Sequence, residues 1–114
     1  MNNREKGKAG ENIAAEYIEG KGGEIIKRNY WTDFGEIDII ARINSEFVFI
    51  EVKSRYGNKF GSPSEAVNSA KQNRIRRAAE FYMVNNYIND LPVRFDVIEI
   101  YIKEGKINHI VNAF

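Results

Sequence analysis

Two acidic residues and a lysine lie at the ends of two neighbouring apolar segments of this sequence. Asp38 belongs to the first segment, and Glu51 and Lys53 belong to the second. Hard cations such as Mg²⁺ and Mn²⁺ bind oxygen ligands and often take only one or two carboxylates from a protein. A divalent cation held by Asp38 and Glu51 would explain why these charges interrupt apolar strands. Lys53 beside it could hold a phosphate or polarise a water.

The two apolar segments predict a β-hairpin. Residues 35–40 and 47–53 are rich in Ile, Val and Phe, which favour strands, and Asn44-Ser45 between them is typical of a tight turn. With that turn, Asp38 would face Glu51, so both carboxylates and the nearby lysine would share one face of the hairpin. Two alternatives stay open. A register slip of one residue would send these side chains to opposite faces, and the lysine could simply neutralise the acids in a structural ion-pair network.

The hairpin is one part of a longer alternation of helices and strands. The apolar spacing predicts a helix over 4–20, strands over 24–31, 35–40 and 47–53, a helix over 62–87, and strands over 93–101 and 107–114. The long helix between strands permits a parallel strand pair. The order α-β-β-β-α-β-β predicts an α/β (α+β) fold, with one central mixed sheet flanked by helices. A chain of 114 residues predicts a single domain over 1–114.

The first helix carries one further candidate ligand. Its apolar positions form a buried stripe, and Glu11 lies at the edge of that stripe. From there its carboxylate could point into the same pocket as Asp38 and Glu51. The alternative is an ordinary solvated helix carboxylate.

The long helix concentrates positive charge in its middle. Lys71, Arg74, Arg76 and Arg77 lie there with little compensating acid, although the net charge of the whole chain is only +1. A local cluster of this kind predicts contacts with phosphates. A solvated polar helix face is the alternative.

Composition limits the chemistry that the chain can perform. The sequence has no cysteine and one histidine, His109, so thiolate and multi-histidine metal sites are excluded, and a carboxylate site favours Mg²⁺ or Mn²⁺. It contains no apolar run long enough for a membrane span, and its first residues lack the apolar region of a signal peptide. We therefore expect a cytoplasmic protein with no membrane partner. Asp96, in an apolar strand, is expected to be structural and paired with an arginine, and His109 is expected to be an edge residue.

Several pieces of the sequence together resemble a known family. Asp38 followed by Glu51-Val52-Lys53 is similar to the metal-binding signature of the restriction-endonuclease-like superfamily, Asp…(Asp/Glu)-x-Lys. Within it, the chain resembles the small bacterial YraN-like proteins. The matching pieces, in order, are Gly7-Lys8-Ala9-Gly10-Glu11-Asn12-Ile13-Ala14, Asn29-Tyr30, residues 35–40, residues 47–55, Lys71-Gln72 and residues 94–97. One departure is that Ile37 stands where the superfamily nominally has proline.

The resemblance implies a fold and an activity. It implies a single restriction-endonuclease-like domain and a metal-dependent endonuclease that hydrolyses phosphodiesters. Members are similar to archaeal Holliday junction resolvases, which implies a nucleic-acid substrate, DNA more than RNA, including branched recombination or repair intermediates. Those resolvases act on two strands symmetrically, so the resemblance also suggests a homodimer.

The resemblance also implies roles for particular residues. Asp38, Glu51 and Lys53 would be catalytic. Asp38, Glu51, the carbonyl of Val52 and Glu11 would bind Mg²⁺ or Mn²⁺. The nucleic acid would be contacted by Lys71, Gln72, Arg74, Arg55 and Arg77. Two alternatives stay open: a nucleic-acid-binding module of the same fold that does not cut, and a structural protein whose hairpin carries only ion pairs.

Overall fold

The computed structural model describes residues 2–56 and 67–114. The helices and strands are α1 (Asn3–Gly20), β1 (Glu24–Trp31), β2 (Glu36–Ile43), β3 (Glu46–Arg55), α2 (Ser69–Asn85), β4 (Val93–Tyr101) and β5 (Lys106–Ile110). This is the predicted order, α-β-β-β-α-β-β, and the α+β class is confirmed.

The five strands form one mixed sheet in the order β1-β2-β3-β4-β5. The β3–β4 pair is parallel, and the other three neighbouring pairs are antiparallel. The chain passes through α2 between β3 and β4, which is the crossover that a parallel pair requires. The predicted mixed sheet is therefore confirmed.

One helix covers each face of the sheet. Small and apolar residues of α1 pack on one face, in a cluster that includes Ala14, Ile18, Ile39, Val48, Ile50 and Ile98. Residues of α2 pack on the other, in a cluster that includes Ile40, Phe49, Ile75, Ala78, Ala79, Tyr82 and Val97. Because β3 is covered on both faces, its residues 47–50 form a continuous apolar run, and Glu51 follows that run.

The hairpin between β2 and β3 has the predicted turn. Asn44 (φ 50°) and Ser45 (φ 72°) both have positive φ, as a type I′ turn requires. The ladder runs from Ile43–Glu46 to Ile39–Ile50, so the predicted register is confirmed and did not slip. The ladder ends before the predicted Asp38–Glu51 pair, and in this detail the prediction is wrong.

Helix α2 is shorter than predicted. Asn68 is extended (φ −81°, ψ 173°) and its side-chain oxygen accepts a hydrogen bond from the Lys71 N–H, which makes Asn68 the N-cap. A single helix over 62–87 is therefore wrong, because it cannot pass through Asn68. The start predicted at Ser62-Pro63-Ser64-Glu65 lies outside the described residues.

The last strand is also shorter than predicted. It ends at Ile110, because Asn112 has positive φ (53°) and its N–H donates to the Asp96 carboxylate at 3.0 Å. Within the described part of the chain, no helix is long and apolar enough to cross a membrane.

Candidate active site

The candidate ligands meet in one cleft at the end of the β2–β3 ladder. Asp38, Glu51, Val52, Lys53 and Glu11 all line this cleft, which has a volume of about 350 Å³. The acids come from two strands and from α1, so only the folded chain brings them together.

A break in the strand alternation sets the position of Asp38. Ile37 packs in the cluster on the α2 side, whereas Ile39 packs in the cluster on the α1 side. Side chains two residues apart on a strand normally lie on the same face of the sheet. The alternation of β2 is therefore interrupted at Asp38. On β1, Asn29 lies between the ladder pairs Arg28–Ile39 and Tyr30–Ile37 and has a φ of 52°.

Asn29 is therefore suited to this place. Asn tolerates left-handed backbone better than most residues do. The break changes the facing of β1 as well. Tyr30 packs on the α2 side, whereas Arg28 donates a hydrogen bond to Asn12 of α1 at 2.7 Å. The Asn29 side chain also hydrogen-bonds Glu11.

Asp38 is held by the backbone of the next strand. The Val52 N–H donates a hydrogen bond to Asp38 Oδ2 at 2.8 Å, just past the end of the ladder. Burial, together with the negative charge of Glu51, raises the pKa of Asp38 from 3.8 to about 8, although the hydrogen bond from Val52 opposes this. A second ionised carboxylate beside Glu51 is therefore disfavoured, and a cation bound between the two acids would favour it.

Glu51 is a buried carboxylate with a cationic partner. It is 6% exposed, and its Oε1 lies 2.6 Å from Lys71 Nζ. Lys71 lies in the first turn of α2, where the Asn68 cap fixes its backbone. Lys71 therefore lies at the site, as predicted, and it does so through a salt bridge to the candidate ligand Glu51.

Lys53 lines the cleft and is not the partner of either acid. In the ranges 2–56 and 67–114, no ion pair includes Lys53. The alternative in which Lys53 neutralises Glu51 is therefore wrong, because Lys71 has that place. No described residue therefore occupies the Lys53 ammonium in an ion pair.

Close contact between α1 and β3 brings Glu11 to the cleft. A Cβ on Gly10 would lie 1.8 Å from Ser54 Oγ, so only glycine lets the helix lie this close to the strand. Glu11 is partly buried, and burial raises its pKa, opposed by the Arg28 guanidinium at 3.9 Å and by the hydrogen bond from Asn29. It is therefore not the fully solvated helix carboxylate of the alternative.

The acids do not form a closed ligand cage. Among the residues that the structure describes, no three His, Cys, Asp or Glu side chains group closely enough to hold a metal ion. Two carboxylates and the Val52 carbonyl remain, and this set of hard oxygen donors fits Mg²⁺ or Mn²⁺, which usually keep several waters.

Arg55 lies at the end of β3 in a buried ion pair. Its Nη2 is 3.1 Å from Oε2 of Glu99, which is fully buried. Asn108 and Tyr101 also donate hydrogen bonds to Glu99. Arg55 therefore has a structural partner that its place in the sequence does not reveal.

The other predicted nucleic-acid contacts divide between two places. Gln72 lies beside Lys71 and donates a hydrogen bond to the Val67 carbonyl at 3.2 Å. Arg74 and Arg77 instead line a separate groove of about 550 Å³ on the exposed side of α2, next to Phe34. Together with Lys71 these arginines form the basic surface of α2, although Asp33 and Glu80 also line the groove.

His109 lies on β5, an edge strand of the sheet, so its interpretation as an edge residue is confirmed. Its side chain is 8% exposed, and its Nε2 lies 2.7 Å from Asp96 Oδ2 while its Nδ1 lies 3.1 Å from the Tyr17 hydroxyl. Arg94 is the arginine that pairs with Asp96, at 3.1 Å. Burial would raise the pKa of Asp96, but the hydrogen bonds from His109 and Asn112 and the charge of Arg94 hold it below the usual value. Asp96 is structural, as predicted.

Some contacts of the site could not be read from the sequence. The Tyr56 hydroxyl donates to the Lys6 carbonyl at 2.7 Å, which joins the end of β3 to the start of α1 beside the cleft. Asn29 and Arg28 hold Glu11, as described above. Only Asn29 gave a signal, because Asn29-Tyr30 is one of the matching family pieces.

The fold and the cleft define a small α+β domain with an acidic site at the end of a β-hairpin. Residues 10–100 match the model of a family described as "Uncharacterised protein family UPF0102". The chain is 50% identical over 114 residues to a UPF0102 protein of Clostridioides difficile (strain 630), which covers 100% of both chains.

More distant relatives match over the same length. UPF0102 proteins of Dictyoglomus turgidum (42% identical, 100% of both chains) and Caldanaerobacter subterraneus (41% identical, 100% of this chain and 98% of the relative) are similar. The chain therefore belongs to the UPF0102 family, which is the YraN-like family that the sequence resembles.

Proposed function

We propose that this protein is a metal-dependent endonuclease that hydrolyses phosphodiester bonds in nucleic acid, DNA more than RNA. One observation carries the proposal: Asp38, Glu51 and Lys53 line the same cleft, and Lys53 has no ion-pair partner among the described residues. Two acids with a free lysine beside them are the groups that a cation-assisted phosphoryl transfer needs.

Asp38, Glu51 and the Val52 carbonyl would hold the cation, Mg²⁺ or Mn²⁺. When bound, such a cation supplies Lewis-acid chemistry, acidifying water and offsetting charge that develops on phosphate. The Val52 N–H keeps the Asp38 carboxylate in place at 2.8 Å, so this ligand is oriented before the cation arrives. Burial of Glu51 limits the water that competes for it.

Lys53 would bind the scissile phosphate or orient the attacking water. An ammonium is a compact point charge with three donors, and it suits either task. Glu11, across the cleft on α1, would accept a hydrogen bond from water in the site.

The contacts of Lys71 would depend on whether Glu51 holds a cation. Its ammonium now offsets that carboxylate at 2.6 Å. With Glu51 engaged as a metal ligand, Lys71 would be able to contact a flanking phosphate, and Gln72 lies next to it. Arg74 and Arg77 lie farther along α2 and would contact the next phosphates of the nucleic-acid backbone.

The second candidate is a nucleic-acid-binding module that does not cut. Two observations favour it: an ammonium already pairs with Glu51, and the described acids form no group of three. In that case the basic surface would bind phosphates and the cleft would be a charge-balanced structural site.

A cleavage assay separates the two candidates. Purified protein is incubated with labelled single-stranded, duplex, flap and four-way-junction DNA, and with RNA, in Mn²⁺ or in EDTA. Lys53→Ala is the test variant, and Lys103→Ala, an exposed lysine in the turn after β4, is the matched control. The endonuclease predicts a metal-dependent product that Lys53→Ala loses and Lys103→Ala keeps. Salt-sensitive binding without product in any metal would favour the binding module.

A further inference from the structure

A second groove adjoins the candidate active site on the side of β1. Its volume is about 570 Å³, within the range of roughly 300–1,000 Å³ that ligand sites occupy. Gly7 and Glu11 line both this groove and the acidic cleft, so the two are continuous. A ligand that occupies one can extend into the other.

Trp31 forms a wall of this groove. It is 75% exposed, although tryptophan is on average highly buried. It is the last residue of β1, an edge strand, and within residues 2–56 and 67–114 no aromatic ring stacks on it. The ring is therefore available to a flat partner from solvent.

Two cations line the same groove. Arg4 and Lys8 lie one turn apart on α1, and both are exposed. Neither forms an ion pair with any described residue. An aromatic face beside unpaired cations is the combination that binds single-stranded nucleic acid, since bases stack on the ring while phosphates contact the cations.

Glu36, the ladder partner of Trp31, decides which part of a nucleotide faces the strand. Its carboxylate also lines the groove and would repel a phosphate. Glu11 of α1 also lines the groove and would repel a phosphate in the same way. The phosphates must therefore lie at the start of α1, near Arg4 and Lys8, and the base must lie on the strand side, near the ring.

We infer that Trp31 stacks on an unpaired base, that Arg4 and Lys8 hold its phosphates, and that the strand continues from this groove into the acidic cleft. This inference rests on the proposed function and narrows its substrate. A base inside a continuous duplex is already stacked and paired, so the ligand is a single strand or a single-stranded flap.

The chain offers a direct probe, because Trp31 is its only tryptophan. Wild-type protein in EDTA, where the proposed activity is absent, is titrated with a short single-stranded DNA, with a duplex, and with an abasic strand of equal length. We expect tryptophan emission to be quenched by the single strand and not by the other two. Labelled-strand anisotropy then compares Trp31→Ala, Trp31→Phe and the exposed aromatic control Tyr87→Ala.

Trp31→Ala should bind the single strand roughly 5- to 150-fold more weakly, while Trp31→Phe keeps most of the affinity. Tyr87→Ala and duplex binding should not change. Unchanged emission with equal affinity of Trp31→Ala, or equal affinity for the abasic strand, would overturn the inference. Quenching without cleavage on any substrate would refute the endonuclease alone, whereas cleavage without quenching would refute the role of Trp31 alone.

Discussion

Replacement of Asp38 by asparagine should stabilise the metal-free protein at neutral pH. Asp38 has a pKa of about 8 in the folded protein, so it is mostly protonated there at neutral pH, whereas it is ionised in the unfolded chain. Asparagine takes up no proton on folding. The oxygen of the new amide side chain could still accept the hydrogen bond from the Val52 N–H, which is 2.8 Å long in the wild type. The substitution therefore removes the titrating group and keeps this contact.

The size and sign of the change in the free energy of unfolding follow from the pKa of Asp38. This pKa is 3.8 in the ordinary case and about 8 in the folded protein. Between these values the folded state binds one proton more than the unfolded state. The free energy of unfolding therefore falls as pH rises, by about 1.4 kcal/mol per pH unit. From about pH 5 to about pH 7 the wild type should lose about 3 kcal/mol relative to Asp38→Asn.

Chemical denaturation in EDTA at a series of pH values measures this difference. Asp33→Asn, which removes an exposed acid in the turn after β1, controls for the loss of one charge. Addition of Mn²⁺ should stabilise the wild type and not Asp38→Asn, since only the wild type keeps both ligands. A stability difference that is constant with pH, or that grows in favour of the wild type, would refute the reasoning.

Further predictions concern the elements around the cleft. Gly10→Ala should destabilise the protein by about 1–3 kcal/mol, because the new Cβ lies 1.8 Å from Ser54 Oγ, and a thermal melt should show a partial recovery in combination with Ser54→Gly. Arg55→Gln should cost about 3 kcal/mol by leaving the buried Glu99 with fewer partners, while the salt dependence of DNA binding stays unchanged. Arg74→Ala should leave stability unchanged but lower the salt slope of DNA binding by about 1, as measured by anisotropy at several salt concentrations.

Local pattern was sufficient to predict most of the fold. The Asn44-Ser45 turn fixed the hairpin register, and the long crossover helix permitted a parallel pair, which the structure forms between β3 and β4. The errors have local causes. The Asn68 cap starts α2 later than the Ser-Pro signal suggested, and the hydrogen bond from Asn112 to Asp96 ends β5.

The sequence predicted which residues line the site, but it did not predict their ion-pair partners. Asp38, Glu51 and Lys53 reach one cleft because hairpin geometry is set by nearby residues. The partners of Glu51 and Arg55 come from α2 and β4, at separations that no periodicity encodes.

Calorimetric titration of Mn²⁺ into metal-free protein tests the central claim most directly. If Asp38 and Glu51 hold the cation, wild-type protein should bind one Mn²⁺ in the cleft, and Asp38→Asn combined with Glu51→Gln should abolish that binding while the fold persists by circular dichroism. Unchanged Mn²⁺ affinity in the folded double variant would contradict the claim.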